Sequence, residues 1–270
     1  MSCNFGVIGV GNMAKAILAG MIHSELSLSG ITLFDKNEEQ YKTLSDDIAS
    51  LSSFSESISQ TVDVSDYILL SVKPQNFPEM IEEIKQCPSF SSKLYISIAA
   101  GIESESISKS LNGACVIRVL PNLPMTVGAG VSLICENKNV SDDDMAFVQK
   151  IFRSSGSILM IREEEMNRMI GVTSSSPAYV FRFVQAICEG AMAQGLHAEL
   201  LDVVCDVLIG SALLLKQSGE SPKVLADRVA SRGGTTERAL RVLDEQGFDR
   251  ILRDAMTACT QRADELGKRN

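Results

Sequence analysis

The sequence predicts an α/β fold. A doubly wound, mostly parallel sheet spans residues 1–160, and an all-helical domain follows over 161–270. Three observations predict it. Short apolar runs alternate with amphipathic stretches through the first part. The first of those runs leads straight into a glycine-rich turn that opens a helix. After about residue 160 the strand-like runs stop, and apolar positions recur every three or four residues.

The elements follow in order. FGVIGV (5–10) is a first buried strand, and a helix runs from about Asn12 to Ser24. ITLFD (31–35), YILLSV (67–72), LYISIAA (94–100) and CVIRVLP (115–121) are four more strands, with weaker ones at Val131–Cys135 and Ser157–Met160. Helical stretches at Phe77–Lys85 and Glu103–Leu111 sit between strands, as a parallel sheet covered on both faces requires. Ser50–Ser59 reads as a loop and weak strand at the sheet edge. From Glu163 to Lys268 the pattern is helical, as in Phe181, Val184, Ile187 and Cys188 and again in Leu208, Ala212 and Leu215. Its few breakers are SSSPAY (174–179), Gly195, SGESP (218–222) and SRGG (231–234).

Composition narrows the function. The net charge of −9 disfavours nucleic acid and anionic membranes as partners. No apolar run reaches the length of a membrane span, and the early first strand leaves no room for a signal peptide. Seven widely spaced cysteines, without a C-x-x-C pair, fit reduced thiols in the cytoplasm better than disulfides or a zinc site. The two histidines, His23 and His197, stand in no metal-like pattern, and no metal is expected. With so few histidines the chemistry must come mostly from elsewhere, and a bound cofactor is the obvious supplier.

Gly9, Gly11 and Ala14 fit G-x-G-x-x-A directly after a strand and at the start of a helix, which is the dinucleotide-binding arrangement of a Rossmann domain. Glycines permit a tight turn there, and the helix N-terminus offers free N–H groups to a pyrophosphate. Asp35 stands about 24 residues beyond Gly11, where a carboxylate meets the ribose of NAD, but Lys36 beside it suits the extra phosphate of NADP. The residues themselves leave that preference open. Ser71–Pro74 and Ile98–Gly101 end two further strands and border the ligand crevice by position. Asn122, between Pro121 and Pro124, could offer its amide to the nicotinamide carboxamide; ordinary strand-end punctuation accounts for these positions equally well.

Six stretches occur in order: GVIGVGNMAKAI, SVKPQ, SIAAGI, VIRVLPNLP, TSSSPAYVF and SRGGTTERAL. Together they resemble the pyrroline-5-carboxylate reductase family, over Phe5 to about Leu266. The resemblance implies reduction of the cyclic imine 1-pyrroline-5-carboxylate to L-proline, the last step of proline biosynthesis. It implies a helical domain that binds substrate and interlocks with a second subunit, in homodimers that often assemble into decamers. It tips the cofactor towards NADP, with NAD still admitted. By motif, Ile8, Gly9, Val10, Gly11, Asn12 and Met13 would hold the pyrophosphate. Asp35 and Lys36 would lie at the ribose, and Ser71, Val72, Lys73, Pro74, Ile98, Ala99, Ala100 and Asn122 along the ribose and nicotinamide. Gly233, Gly234, Thr235 and Thr236 would face the substrate, across the dimer interface from the partner's cofactor. The chain departs from the family's habit at Ser174 and Ser176 (usually glycine), Leu123 (usually threonine) and Arg232 (usually proline).

A protonated imine is already electrophilic, so a strong general acid is unnecessary. Thr236 or a serine such as Ser176 is a candidate to hydrogen-bond the ring nitrogen or the carboxylate. The SRGGTT turn and the helix after it suit a small carboxylate, and Thr235 and Thr236 could alternatively cap that helix. Glu220 could attract a cationic ring, although an exposed helix-end carboxylate is the plainer reading. A 3-hydroxyacid reductase would place a lysine on the first long helix of the second domain, and GVTSSSPAYVFRF has none. Reduction of a different cyclic imine stays open. A non-catalytic dinucleotide-binding protein would show an eroded GGTT loop, which is intact here.

Overall fold

The fold is that of a computed structural model describing residues 3–24, 26–135, 139–196 and 200–267. His197 and Lys268 lie outside the described residues. Two compact units are present: Met1–Ser175 together with Ala258–Asn270, and Ser176–Thr257. The strand–helix alternation ends at Ile161, but the first unit extends beyond it and also takes in the C-terminal segment.

Unit 1 is built on an eight-stranded sheet. Its strands are β1 (Cys3–Ile8), β2 (Leu28–Phe34), β3 (Ser52–Phe54), β4 (Tyr67–Leu70), β5 (Leu94–Ser97), β6 (Cys115–Leu120), β7 (Gly130–Cys135) and β8 (Gly156–Ile161). The spatial order is β3-β2-β1-β4-β5-β6-β7-β8, and only the β6–β7 pair is antiparallel. Chain order reverses at β1, which lies between β2 and β4. A doubly wound sheet opens its ligand crevice at such a reversal, beyond the carboxyl ends of the strands.

The crossover helices are α1 (Asn12–Ile22), α2 (Asp46–Leu51), α3 (Ile58–Val64), α4 (Phe77–Ile84), α5 (Ser104–Ser110) and α6 (Asp142–Arg153). They cover both faces. Ala14, Ile17, Leu18 and Met21 of α1 pack with Val148, Ile151 and Phe152 of α6 on one side. Ile58 and Val62 of α3 pack with Phe77, Met80 and Ile84 of α4 on the other. The central strands are therefore mostly apolar, and β4 and β5 bury nearly every side chain. The stretch around Ser50–Ser59 holds β3 as expected, and also the end of α2 and the start of α3. Ser45 and Ser57 start those two helices by accepting the N–H of Ile48 and Gln60, so Ser57, which read as loop, is an N-cap.

Beyond β8 a further helix, α7 (Glu163–Met169), supplies the polar centre of unit 1. Arg118 of β6 is 1% exposed, a burial that requires compensation. Its Nη1 donates to Glu163 Oε1 at 2.8 Å, and its Nη2 donates to Asn167 Oδ1 at 2.9 Å. Ser104 Oγ and Cys135 Sγ both donate to Glu163 Oε2, at 2.7 and 3.1 Å. Asn167 Nδ2 in turn donates to Asp264 Oδ1 at 2.9 Å. One carboxylate thus joins β6, β7, α5 and α7, and Asn167 carries the network to the C-terminal segment. Burial alone would raise the Glu163 carboxyl, but the bonds from Arg118, Ser104 and Cys135 outweigh it and hold the carboxyl below its usual range. Burial and the Glu163 carboxylate push the Cys135 thiol up to about 12, so it stays protonated.

The C-terminal segment meets the turn after β5 backbone to backbone. Gly101 has φ +81°, and a Cβ there would stand 2.7 Å from the Ala263 carbonyl oxygen. Only glycine admits both that conformation and that approach.

Unit 2 contains α8 (Ser176–Ala193), α9 (Leu201–Ser218), α10 (Pro222–Val229), α11 (Thr235–Glu245) and the first half of α12 (Phe248–Gly267). Its helices are barely buried. Val184 is the buried residue of α8 and Val204 that of α9, while Val207, Ile209, Leu213 and Leu214 are each more than half exposed. No helix among the described residues is long and apolar enough to cross a membrane.

The Arg118–Glu163 pair yields a stability prediction. Glu163→Gln leaves Arg118 buried without its counter-charge and should cost roughly 3 kcal/mol, measured by urea unfolding at neutral pH. The folded carboxyl titrates below its unfolded value of about 4.3, so its contribution is complete above that pH and fades as pH falls through the folded value. The deficit of the variant should therefore shrink in acid. A deficit that stays constant down to the acid limb would contradict this reading.

Candidate functional site

The crevice at the strand reversal is a cavity of ≈ 520 Å³. Ile8, Gly9 and Gly11 line it from the end of β1, Phe34, Asp35 and Lys36 from the end of β2, and Ser71, Val72 and Lys73 from the end of β4. Glu79 and Met80 of α4 close one side. This size accommodates a nucleotide-scale ligand.

Sterics at the β1 end shape the crevice. Gly9 has φ +94°, and a Cβ there would lie 2.8 Å from the Ser71 backbone. The turn consequently lies directly against β4, with Gly9 N–H donating to the Phe34 carbonyl at 2.8 Å and Ser71 N–H to the Ile8 carbonyl at 2.9 Å. Gly11 differs. Nothing lies within 4 Å of where its Cβ would stand, so the missing side chain leaves open space in the cavity. Gly11 is also the N-cap of α1 without any capping side chain, and no acidic residue occupies the first turn. An uncapped helix N-terminus behind an open glycine fits an anion such as a pyrophosphate.

The remaining expected residues divide by position. Val10 is fully buried, and its N–H donates to Asp35 Oδ2 at 2.7 Å. Asn37 N–H donates to Asp35 Oδ1 at 2.8 Å. Asp35 therefore already ties the glycine turn to the end of β2 with both oxygens. Asn12 is exposed, Met13 packs partly on the core, and Pro74 opens a short helical turn over Pro74–Asn76. Ile98, Ala99 and Ala100 do not line the cavity, and each packs against a core cluster. The Asn122 amide, expected at a nicotinamide, is engaged inside unit 1. Its Oδ1 accepts from Val131 N–H at 2.8 Å, and its Nδ2 donates to the Thr173 carbonyl at 3.1 Å.

Lys36 is held in place. Its Nζ lies 2.8 Å from Glu79 Oε1 and 3.0 Å from Glu83 Oε1, and these bonds push its ammonium up from the ordinary value. Sequence reading missed both glutamates. Acidic residues on an amphipathic helix read as its solvent face, and nothing local marks which strand end they meet.

In unit 2 the SRGGTT turn forms the start of α11. Gly233 is left-handed, at φ +74°, and Gly234 is the N-cap. Thr235 and Thr236 do not cap the helix; they occupy its first turn, Thr235 exposed and Thr236 half-buried. The carboxylate of Glu237 serves the turn instead, with Oε2 accepting the Gly233 N–H at 2.6 Å. A Glu at the third helical position is a recognised start signal, and G-T-T-E carries it. Glu220 is paired with Arg228 through Oε1, while its buried Oε2 has no partner among the described residues. Ser176 opens α8, and Arg232 is exposed. In unit 1, Ser174 Oγ donates to the Pro121 carbonyl at 3.2 Å.

Comparisons with known proteins match both parts of the chain. Residues 163–266 fit the family model described as pyrroline-5-carboxylate reductase dimerisation, and residues 4–101 fit that of coenzyme F420-dependent NADP oxidoreductases. The pyrroline-5-carboxylate reductase of Escherichia coli K12 is 35% identical over 99% of this chain and 100% of its own. That of Arabidopsis thaliana is 31% identical over 99% of this chain and 96% of its own. Among solved structures, Plasmodium falciparum pyrroline carboxylate reductase with NADP bound has a TM-score of 0.88 at 26% identity, covering 98% of each chain. The Coxiella burnetii enzyme has a TM-score of 0.84 at 28% identity, covering 98% of this chain and 99% of its own. A Streptomyces aurantiacus imine reductase, 14% identical with a TM-score of 0.59, shares the fold alone. Similarity at this identity extends over nearly the full length of both chains, and the chain belongs to the pyrroline-5-carboxylate reductase family.

Proposed function

We propose that this protein reduces 1-pyrroline-5-carboxylate to L-proline with NADPH, accepting NADH as well. The observation that carries the reading is the full-length similarity to the Escherichia coli reductase. The bound dinucleotide would supply the hydride that turns the ring C=N into C–H, a proton completing the amine.

The chain's own part is to bind and orient. The N-terminus of α1, behind Gly9, Val10 and Gly11, would hold the pyrophosphate, with Asn12 and Met13 offering first-turn N–H groups. Lys36 would stand by the adenosine ribose. Ser71 to Pro74, Ile98 to Ala100 and Asn122 would continue the dinucleotide site, the last four acting through the packing and bonds that fix their strand ends. The N–H groups of Gly233 and Gly234 and the hydroxyls of Thr235 and Thr236 would receive the substrate carboxylate or ring nitrogen, with Ser176 a further hydroxyl. Glu220, with one oxygen on Arg228, would add negative potential for a cationic ring.

The subunits would associate through unit 2. Its α8 and α9 leave Phe181, Val207, Leu213 and Leu214 exposed, a quantity of apolar surface that marks an interaction face. We place the enzyme in the cytoplasm, as the odd number and wide spacing of the cysteines, without a C-x-x-C pair, suggest.

Purified protein given pyrroline-5-carboxylate and either dinucleotide should oxidise the dinucleotide and form proline. No turnover with NADPH or NADH would sink this reading. Thr236→Ala should lower kcat/KM about tenfold, the effect of one lost hydrogen bond to a charged ligand; unchanged kcat and KM would remove Thr236 from the site. A Val207→Asp/Leu214→Asp double variant should elute as a monomer where the wild type elutes as a dimer, or as a decamer built from five such dimers. Light scattering on the eluting protein distinguishes all three states.

A further inference from the structure

Glu79 and Glu83 stand four residues apart on α4, one turn from each other on the same face. Two like charges so placed repel, and Lys36 Nζ relieves them by lying 2.8 and 3.0 Å from their oxygens. Lys36 comes from the end of β2, and Lys36 and Glu79 both line the ≈ 520 Å³ cavity. The adjacent carboxylate, Asp35, is already occupied by the N–H groups of Val10 and Asn37. Around Lys36 itself stand three carboxylates, those of Asp35, Glu79 and Glu83, and the cavity's other ammonium, Lys73, comes from the end of β4.

From this geometry, and resting on the reductase reading above, we infer that Glu79 and Glu83 set the discrimination between NADP and NAD by holding Lys36 against α4. The two dinucleotides differ in the phosphate on the adenosine ribose, which carries close to two negative charges at neutral pH. That phosphate must draw Lys36 away from its carboxylates, or approach them while they hold it. NAD, with a hydroxyl in the same place, meets neither cost. The pair thus narrows whatever preference Lys36 confers on the phosphorylated form.

The two glutamates are unequal. Glu79 is 68% exposed, and water and salt screen its charge. Glu83 is 29% exposed and its charge is less screened, while Glu79 makes the shorter contact with Lys36 and lines the cavity, so both contribute.

The test is calorimetric titration of the full-length protein with NADP and with NAD at low ionic strength. In a Glu79→Gln/Glu83→Gln variant, NADP should bind about three- to tenfold more tightly, while NAD changes far less. Glu79→Gln and Glu83→Gln alone should each give part of the gain, and added salt should reduce it. Lys36→Met on the double-variant background should abolish it. Equal tightening for both dinucleotides, or weaker binding of NADP, would overturn the inference; the latter would mean that the carboxylates aim Lys36 at the phosphate. If the wild type binds neither dinucleotide, the reductase reading falls as well. If both bind with an unchanged ratio in the variant, only this inference falls.

Discussion

The close approach of the Gly9 turn to β4 is the contact on which the crevice depends. A β1–α1 turn can lie against the neighbouring strand only if no side chain stands between them, and a Cβ at Gly9 would meet the Ser71 backbone at 2.8 Å. Three consequences follow. The N-terminus of α1 reaches the carboxyl edge of the sheet where chain order reverses. The ends of β1, β2 and β4 converge around one space. The Val10 N–H comes within 2.7 Å of the Asp35 carboxylate, which locks the turn to the second strand. Without that approach the helix N-terminus would sit above the sheet with no walls around it.

The far half of unit 1 relies on a different kind of constraint. Arg118 is buried in a sheet whose other interior side chains are mostly apolar, so its position is fixed by the Glu163 carboxylate and the Asn167 amide oxygen rather than by shape alone. Glu163 accepts from Arg118, Ser104 and Cys135 together, which leaves it little freedom to move. Asn167 then passes the restraint to Asp264 on the C-terminal segment. The same segment abuts the Gly101 turn at the end of β5. A segment remote in sequence thereby steadies a strand end of the dinucleotide-binding fold, by polar bonds at one place and backbone contact at another.

Much of this was legible in the sequence, for reasons that are local. FGVIGV into G-V-G-N-M-A declares a strand, a turn and a helix within a dozen residues, since each step rests on neighbours in the chain. The apolar runs at 67–72, 94–100 and 115–121 mark central strands because both faces of the sheet are covered. The short helices α2 and α3 were not legible. α2 ends inside the serine-rich stretch, and α3, ISQTVDV, begins inside it and is rich in β-branched residues that favour strands. The ties from Glu163 to Arg118 and from Asn167 to Asp264 span 45 and 97 residues, and no local pattern announces them. Asn122 was legible as a polar residue at a strand end, but not as one whose amide is consumed by Val131 and Thr173.

Asp35 and Lys36 show most plainly what tertiary structure adds. Side by side in the sequence they point to opposite cofactors, because each is judged as if it faced the ribose alone. In the fold they face different neighbours. Asp35 is turned to backbone N–H groups of the glycine turn and of Asn37, and Lys36 is turned to two carboxylates of α4. The electrostatic field at this end of the cavity is therefore composed by β2 and α4 together. Two residues of a helix that reads as merely amphipathic decide how much of the lysine's charge an incoming phosphate can use. Selectivity in such a site is a property of the whole rim, and the identity of the residue after the second strand fixes it only when nothing else on the rim competes for that residue.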